Sequence, residues 1–269
     1  MAGSSLPRRD AKLLLERLQQ TLTAVGCDYK RIVDEFGQVR ASEQRAQGKT
    51  FQLADHIRGL ILSLLSNQRR WGPIAQNLDR IDRIFFHYSA DAIKAADPSH
   101  FKQQLLAIQC GNRQIAKQMA ALAGNIAVFA KIEAEHGSLD RFVESADPHE
   151  IALRLSAPGK FKLRQIGYTL AMEYLRNVGV RASKPDVHVR RAIGRLRLGL
   201  VDADEPSEEQ AYRTMGEVAD EVGMNRTYLD NLLWLFCAKD YGNVCGAAPR
   251  CTVCLLRDMC HYPARPAAS

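Results

Sequence analysis

Apolar residues recur along this chain at helical spacing almost throughout, while short β-rich runs are rare and none is paired with a hairpin turn signal. Leu13, Leu14, Leu15, Leu18, Leu22 and Val25 give residues 10–25 an apolar helical face. Residues 51–67 (FQLADHIRGLILSLLSN) are so strongly apolar that they predict a buried helix. Further helical patterns cover 72–85, 99–108, 111–135, 147–156, 163–178, 187–198, 207–221 and 225–238. Asp97-Pro98, Gly137, Pro158-Gly159 and Lys184-Pro185 separate them, as residues that break or turn a helix should. The pattern predicts an all-α fold with no internal repeat.

Composition narrows the class. At 269 residues and 46% hydrophobic, the chain can bury a core for one large domain or two intimate ones. No run approaches the roughly 18 apolar residues of a membrane span. The first twenty residues carry charges where a signal peptide needs its apolar stretch. The expectation is an intracellular protein (cytoplasm or nucleoid) with no membrane partner. A net charge of +7 favours polyanionic partners, but many proteins with this balance bind none. Charge therefore supports a case for nucleic acid without making one.

Cysteine usage is more pointed. Cys27, Cys110 and Cys237 sit in apolar company and read as core residues. Cys245, Cys251, Cys254 and Cys260 fall within 16 residues, in the spacing Cys-x5-Cys-x2-Cys-x5-Cys. In a reducing compartment such a cluster reads as a metal or cofactor site rather than as disulfides. Four thiolates suit a tetrahedral zinc or a cubane iron–sulfur cluster. Structural zinc sites usually show two short knuckles, whereas here one CxxC is flanked by two longer loops. That favours the iron–sulfur cluster and leaves zinc as the alternative.

The segment CGAAPRCTVCLLRDMCHY resembles the C-terminal iron–sulfur loop of the helix-hairpin-helix DNA glycosylases, in particular endonuclease III and the MutY adenine glycosylases. The x2 and x5 spacings match, as do the Pro-Arg before the second cysteine and the aromatic-rich helix upstream. The first spacing is five here and usually six there. A second stretch, 163–191, resembles that family's hairpin and the helix start after it. Ile166-Gly167 fits the hairpin turn, with Gln165 in place of its first glycine, and Pro185-Asp186-Val187-His188-Val189-Arg190 fits the aspartate motif. A third, Ser63-Leu64-Leu65-Ser66-Asn67-Gln68, ends the apolar helix as the family's gap-filling glutamine does.

The residues also admit plainer roles. Asp186 precedes a helical pattern and suits an N-cap. The hairpin alone is an ordinary helix–helix connection, although a tight turn into a helix N-terminus also offers amides to a phosphate. Trp71 suits the core as well as a stacking role, and His188 reads as a structural hydrogen-bonder.

The resemblance implies more. Asp186 would be the catalytic carboxylate, and Gln68 would fill the gap left by a flipped nucleotide. Gln165, Gly167, Thr169, Arg69, Arg70 and Arg190 would face DNA. Bifunctional relatives carry a Schiff-base lysine two residues after the second hairpin glycine, where this chain has Thr169, which cannot form an imine. The implied activity is a monofunctional glycosylase without strong lyase activity, acting as a monomer on duplex DNA with a damaged or modified base and carrying a [4Fe–4S] cluster on the four cysteines. The implied architecture is two helical lobes flanking a DNA cleft. Residues 50–183 form a barrel-like lobe with the hairpin at 163–178. Residues 184–269 form a cluster lobe with its loop at 245–260, against which residues 1–49 pack. The competing readings are a non-catalytic iron–sulfur DNA-binding relative and a zinc-bound interaction domain.

Overall fold

The computed structural model describes residues 10–262. Among them are fifteen α-helices, three short 3-10 turns and no strand. The fold is all-α, in two compact units: 36–181, and a discontinuous one of residues up to 35 joined to those from 182 onward.

The discontinuous unit begins with α1 (Ala11–Ala24) and α2 (Tyr29–Phe36), whose last residue crosses the boundary. Asp10 caps α1 through the amides of Lys12 and Leu13. Leu14, Leu15, Leu18 and Leu22 form its buried face. The 36–181 unit holds α3 (Gln38–Ala46), α4 (Leu53–Leu65), α5 (Gly72–Ala75), α6 (Leu78–Ile84), α7 (Ala90–Ala95), α8 (Pro98–Ala107), α9 (Ile115–His136), α10 (Leu139–Val143), α11 (Pro148–Ser156) and α12 (Tyr168–Asn177). The chain then returns to the first unit with α13 (Val187–Ile193), α14 (Glu208–Glu221) and α15 (Arg226–Cys237).

Helix α4 is the centre of the 36–181 unit. Ile57, Leu60, Ile61, Leu64 and Leu65 have no exposed surface, so the helix predicted to be buried is buried. It packs on α12, where Ser63 Oγ donates to the Leu170 carbonyl (2.6 Å) and Asn177 Nδ2 donates to that of Gly59 (3.0 Å). Helix α9 is long and apolar enough by composition to cross a membrane, contrary to the expectation that no run approaches such a span. Its Met119, Leu122, Ile126, Phe129 and Ile132 are buried within the unit, and it serves as a core helix.

A buried polar network fixes α3, α10 and the start of α4. Arg45 pairs with Asp140 (2.5 Å) and Glu144 (2.9 Å) and donates to the Val178 carbonyl. Asp140 also accepts from the Phe51 amide (3.1 Å), and His56 Nε2 stands 3.4 Å from it. Burial alone would raise the Asp140 pKa, but His56, Arg45 and the Phe51 amide outweigh it and hold the carboxyl at about 2. Gln38 donates to Glu173 and Asn177 on α12. These contacts correct the expected boundary at 49: residues 36–49 belong to the 36–181 unit, because α3 places its polar residues against α10 and α12.

Two predicted helices are shorter than their apolar patterns. The stretch 72–85 breaks at Asn77, whose side chain donates to the Pro73 carbonyl and competes with the helical ladder. Helix α13 stops at Gly194, where the 194–206 loop folds back so closely that a Cβ would lie 2.5 Å from the Asp204 carbonyl. Residues 195–198 are thereby turned into the loop.

Candidate nucleic-acid interface and cysteine site

The expected site residues fall into two sets, one in each unit. Gln68, Arg69, Arg70, Gln165, Gly167 and Thr169 lie in the 36–181 unit. Asp186, Arg190 and the four clustered cysteines lie in the other.

The hairpin connects α11 to α12. The side chain of Asn125, on α9, pairs with both backbone groups of Arg164: Oδ1 accepts from the amide (2.7 Å) and Nδ2 donates to the carbonyl (3.0 Å). Gln165 then adopts φ +63°, in the left-handed region that glycine occupies without cost and other residues at about 1–2 kcal/mol. The missing hairpin glycine therefore leaves the turn intact but strained. Lys162 donates its ammonium to the Ile166 carbonyl and staples the turn, and burial lowers its pKa. Gly167 caps α12 with extended backbone and offers no side-chain cap. A Cβ there would meet nothing within 4 Å, so the approach to the first turn of α12 is open. Thr169 follows on that first turn, and Tyr168 pairs its hydroxyl with His149 Nδ1 at 2.7 Å.

Past α4, Gln68 is exposed and takes φ +50°. Arg70 is exposed, and Trp71 is half-buried edge-on to Phe36 at 6.4 Å. Arg69 does not point outward as a phosphate contact would. Its guanidinium donates to the Gln109 carbonyl, and its Nε is buried without a partner among the described residues. Gln109 is itself exposed, with φ +57°. Asn112 ties the same loop to the end of α4 through the Leu64 carbonyl (3.0 Å). Two exposed glutamines with left-handed backbone thus stand on adjoining loops. The turn residues Gly111 and Asn112 mark the second loop in the sequence, but its approach to Gln68 was not legible there.

In the other unit, the segment before Asp186 is laid on α15. Lys184 N–H donates to Asp230 Oδ1 (2.9 Å), and Thr227 Oγ1 donates to the Ala182 carbonyl (3.1 Å). Asp186 caps α13: Oδ1 accepts from the amides of His188 (2.8 Å) and Val189 (3.1 Å). The residue is half-buried, and no partner is found for Oδ2 among the described residues. The His188 ring is not the hydrogen-bonder expected of it. Its Nδ1 is buried without a partner among the described residues, burial pushes its pKa down, and it lies edge-on to Trp234. Arg190 Nε donates to the Pro206 carbonyl (2.5 Å), so this half-buried arginine anchors the 194–206 loop as well as lining the helix that Asp186 starts.

Cys245, Cys251, Cys254 and Cys260 line one cavity with Arg197 and Tyr262. Among the described residues, no three His, Cys, Asp or Glu side chains converge as tightly as a single metal ion needs. The donor set itself, four thiols facing a common space, fits a four-thiolate group. Helix α1 borders the loop: Thr21 Oγ1 accepts from the Leu255 amide (3.1 Å) and Arg17 pairs with Asp258. The neighbouring Cys237, with help from Arg197, outweighs burial and holds the Cys245 thiol at about 7. Burial raises Cys254 to about 11 and also raises Cys260.

No family model and no curated protein matches the chain. Solved structures do. The 8-oxoguanine glycosylase/lyase of Methanocaldococcus jannaschii, in complex with a 15-mer DNA containing 8-oxoguanine, is similar over 83% of this chain and 96% of its own, with a TM-score of 0.54 and 16% identity. The 8-oxoguanine DNA glycosylase of Thermotoga maritima is similar over 84% and 97%, with a TM-score of 0.56 and 19% identity. The chain therefore has the all-helical fold of DNA glycosylases. Both of these solved structures are named for 8-oxoguanine.

Proposed function

We propose that this protein is a DNA glycosylase that extrudes a damaged or modified base from duplex DNA and hydrolyses its N-glycosidic bond. The observation that carries the reading is the fold shared with two 8-oxoguanine glycosylases over more than four-fifths of the chain. The local geometry supports it. The uncapped turn at Gly167 suits a backbone phosphate, bound by amides without sequence readout. Gln68 suits the gap that an extruded nucleotide leaves, and Gln109 suits a second finger beside it. Arg70 and Arg190 contribute positive charge to a DNA-facing rim.

Asp186 is the catalytic carboxylate. Two amides fix Oδ1, and Oδ2 is left for chemistry. Its charge stabilises the sugar as the glycosidic electrons depart with the base, and it accepts a proton from the attacking water. Water adds to the anomeric carbon, the base leaves protonated, and an abasic site remains. Thr169 supplies no amine, and the Lys162 ammonium is engaged in the turn. The enzyme is accordingly monofunctional. Cys245, Cys251, Cys254 and Cys260 hold a [4Fe–4S] cluster that orders the C-terminal loop.

Excision from a panel of modified duplexes, 8-oxoguanine included, tests the reading. Heating in alkali cuts at abasic sites, and borohydride traps an imine. Wild type cleaves at least one duplex only after alkali and gives no trapped adduct. Asp186→Asn loses about a hundredfold in rate or more. Binding to lesion duplexes without excision of any base would favour the non-catalytic reading. Equal rates in the two proteins would remove Asp186 from the chemistry. An adduct lost in Lys162→Ala would establish a lyase.

A further inference from the structure

Arg197 is almost fully buried, with 6% of its surface exposed, and it pairs with no carboxylate among the described residues. A guanidinium in that position demands an anion. Nη1 donates to Cys245 Sγ (3.4 Å), and Nη2 donates to the carbonyls of Gly246 and Ala247 (3.4 Å each). Its plane lies 4.2 Å from the Tyr262 ring centroid, and its backbone carbonyl accepts from the His261 amide (2.8 Å). One residue thus clasps both ends of the cysteine loop, at 245–247 by its side chain and at 261–262 by backbone and ring contact.

Cys237 ends α15 beside Cys245 with 1% of its surface exposed, and its thiol donates to the His188 carbonyl (3.8 Å). The sequence assigned it to the apolar core. The structure places it against a sulfur of the four-thiol cavity.

We infer that Arg197 is a donor on the Cys245 sulfur that raises the reduction potential of the cluster the four cysteines hold. The inference rests on the [4Fe–4S] reading above. Hydrogen bonds and positive charge at a ligand sulfur favour the more electron-rich, reduced state. Cys245 is the only one of the four sulfurs with an arginine donor among the described hydrogen bonds. Arg197 is a positioning residue: it touches a ligand, and its effect appears in the electron equilibrium of the cluster.

The test uses the full-length protein made anaerobically, with iron and sulfide assayed and the cluster potential measured by voltammetry. Arg197→Met shifts the potential negative. A tenfold change in the one-electron equilibrium, about 59 mV, is the scale expected for Arg197→Met. Should Arg197→Met fail to fold, Arg197→Lys gives a smaller shift of the same sign. Iron-loaded variants at the wild-type potential would overturn the inference and leave the cofactor reading standing. A wild-type protein free of iron, or holding zinc, overturns both.

Discussion

The hairpin at 162–167 and the cysteine loop at 245–260 are both irregular segments leading to or from helices, yet they are held in opposite ways. The hairpin is closed by the protein alone: Asn125 pairs both backbone groups of Arg164, Lys162 staples the turn and Gln165 absorbs the strain. The cysteine loop faces four sulfurs and a buried cation onto one cavity, and its ends are clasped by Arg197. The first is a finished piece of the core. The second surrounds a cavity lined by four thiols, which the proposed cluster would fill. On that reading the order of the hairpin is independent of a cofactor and that of the cysteine loop is not.

The largest test of that difference removes a ligand. Cys254→Ser abolishes the absorbance near 400 nm expected of the cluster and raises hydrogen exchange in 244–262, while amides of 162–170 keep wild-type protection. Equal loss in both segments would break the contrast. Next comes the buried network that supports the hairpin's unit. Asp140→Asn leaves Arg45 without its inner partner and lowers stability by about 3–5 kcal/mol in denaturant titrations. Because the folded-state pKa of Asp140 is depressed, its ionisation contributes about 2–3 kcal/mol at neutral pH. That share is fully present above about pH 4 and is lost as pH falls towards 2. In Asp140→Asn the fall in stability across that window is shallower.

A smaller effect separates folding from binding. Gly167→Ala adds a methyl to open space at an ordinary backbone conformation, so thermal unfolding moves little. Affinity for duplex DNA falls about tenfold if the phosphate sits against that backbone, a loss of about 1.4 kcal/mol. Unchanged affinity would remove the turn from the interface. The smallest change is Gln165→Gly, which relieves the left-handed strain and stabilises the protein by about 1 kcal/mol or less.

Much of the fold could be read from periodicity, and the reasons it ran out are local. Helices α1, α4, α8, α9, α11, α14 and α15 are long enough to show a repeating apolar face, and the chain reveals them. Helices α7 and α10 have one or two turns, too few to show a period. The allegiance of α3 was hidden because Arg45 meets Asp140 from 95 residues away, and no local pattern records that pairing. Of the candidate residues, the helix start at Asp186 and the gathering of the four cysteines were legible from spacing, and the hairpin turn from Ile166-Gly167. The inward turn of Arg69, the nearness of Gln109 to Gln68 and the contact of Cys237 with Cys245 arise only when distant loops meet.

The discontinuity of the unit carrying the cysteines has a consequence for biosynthesis. Thr21 and Leu255 bond although they lie 234 positions apart, so α1 leaves the ribosome long before its partner exists. At about 5–20 residues per second the delay is roughly 12–47 s. For most of that interval, until α14 and α15 emerge, the leucine face of α1 lacks the helices it packs on, which makes it a stretch of nascent polypeptide that a holding chaperone would shield.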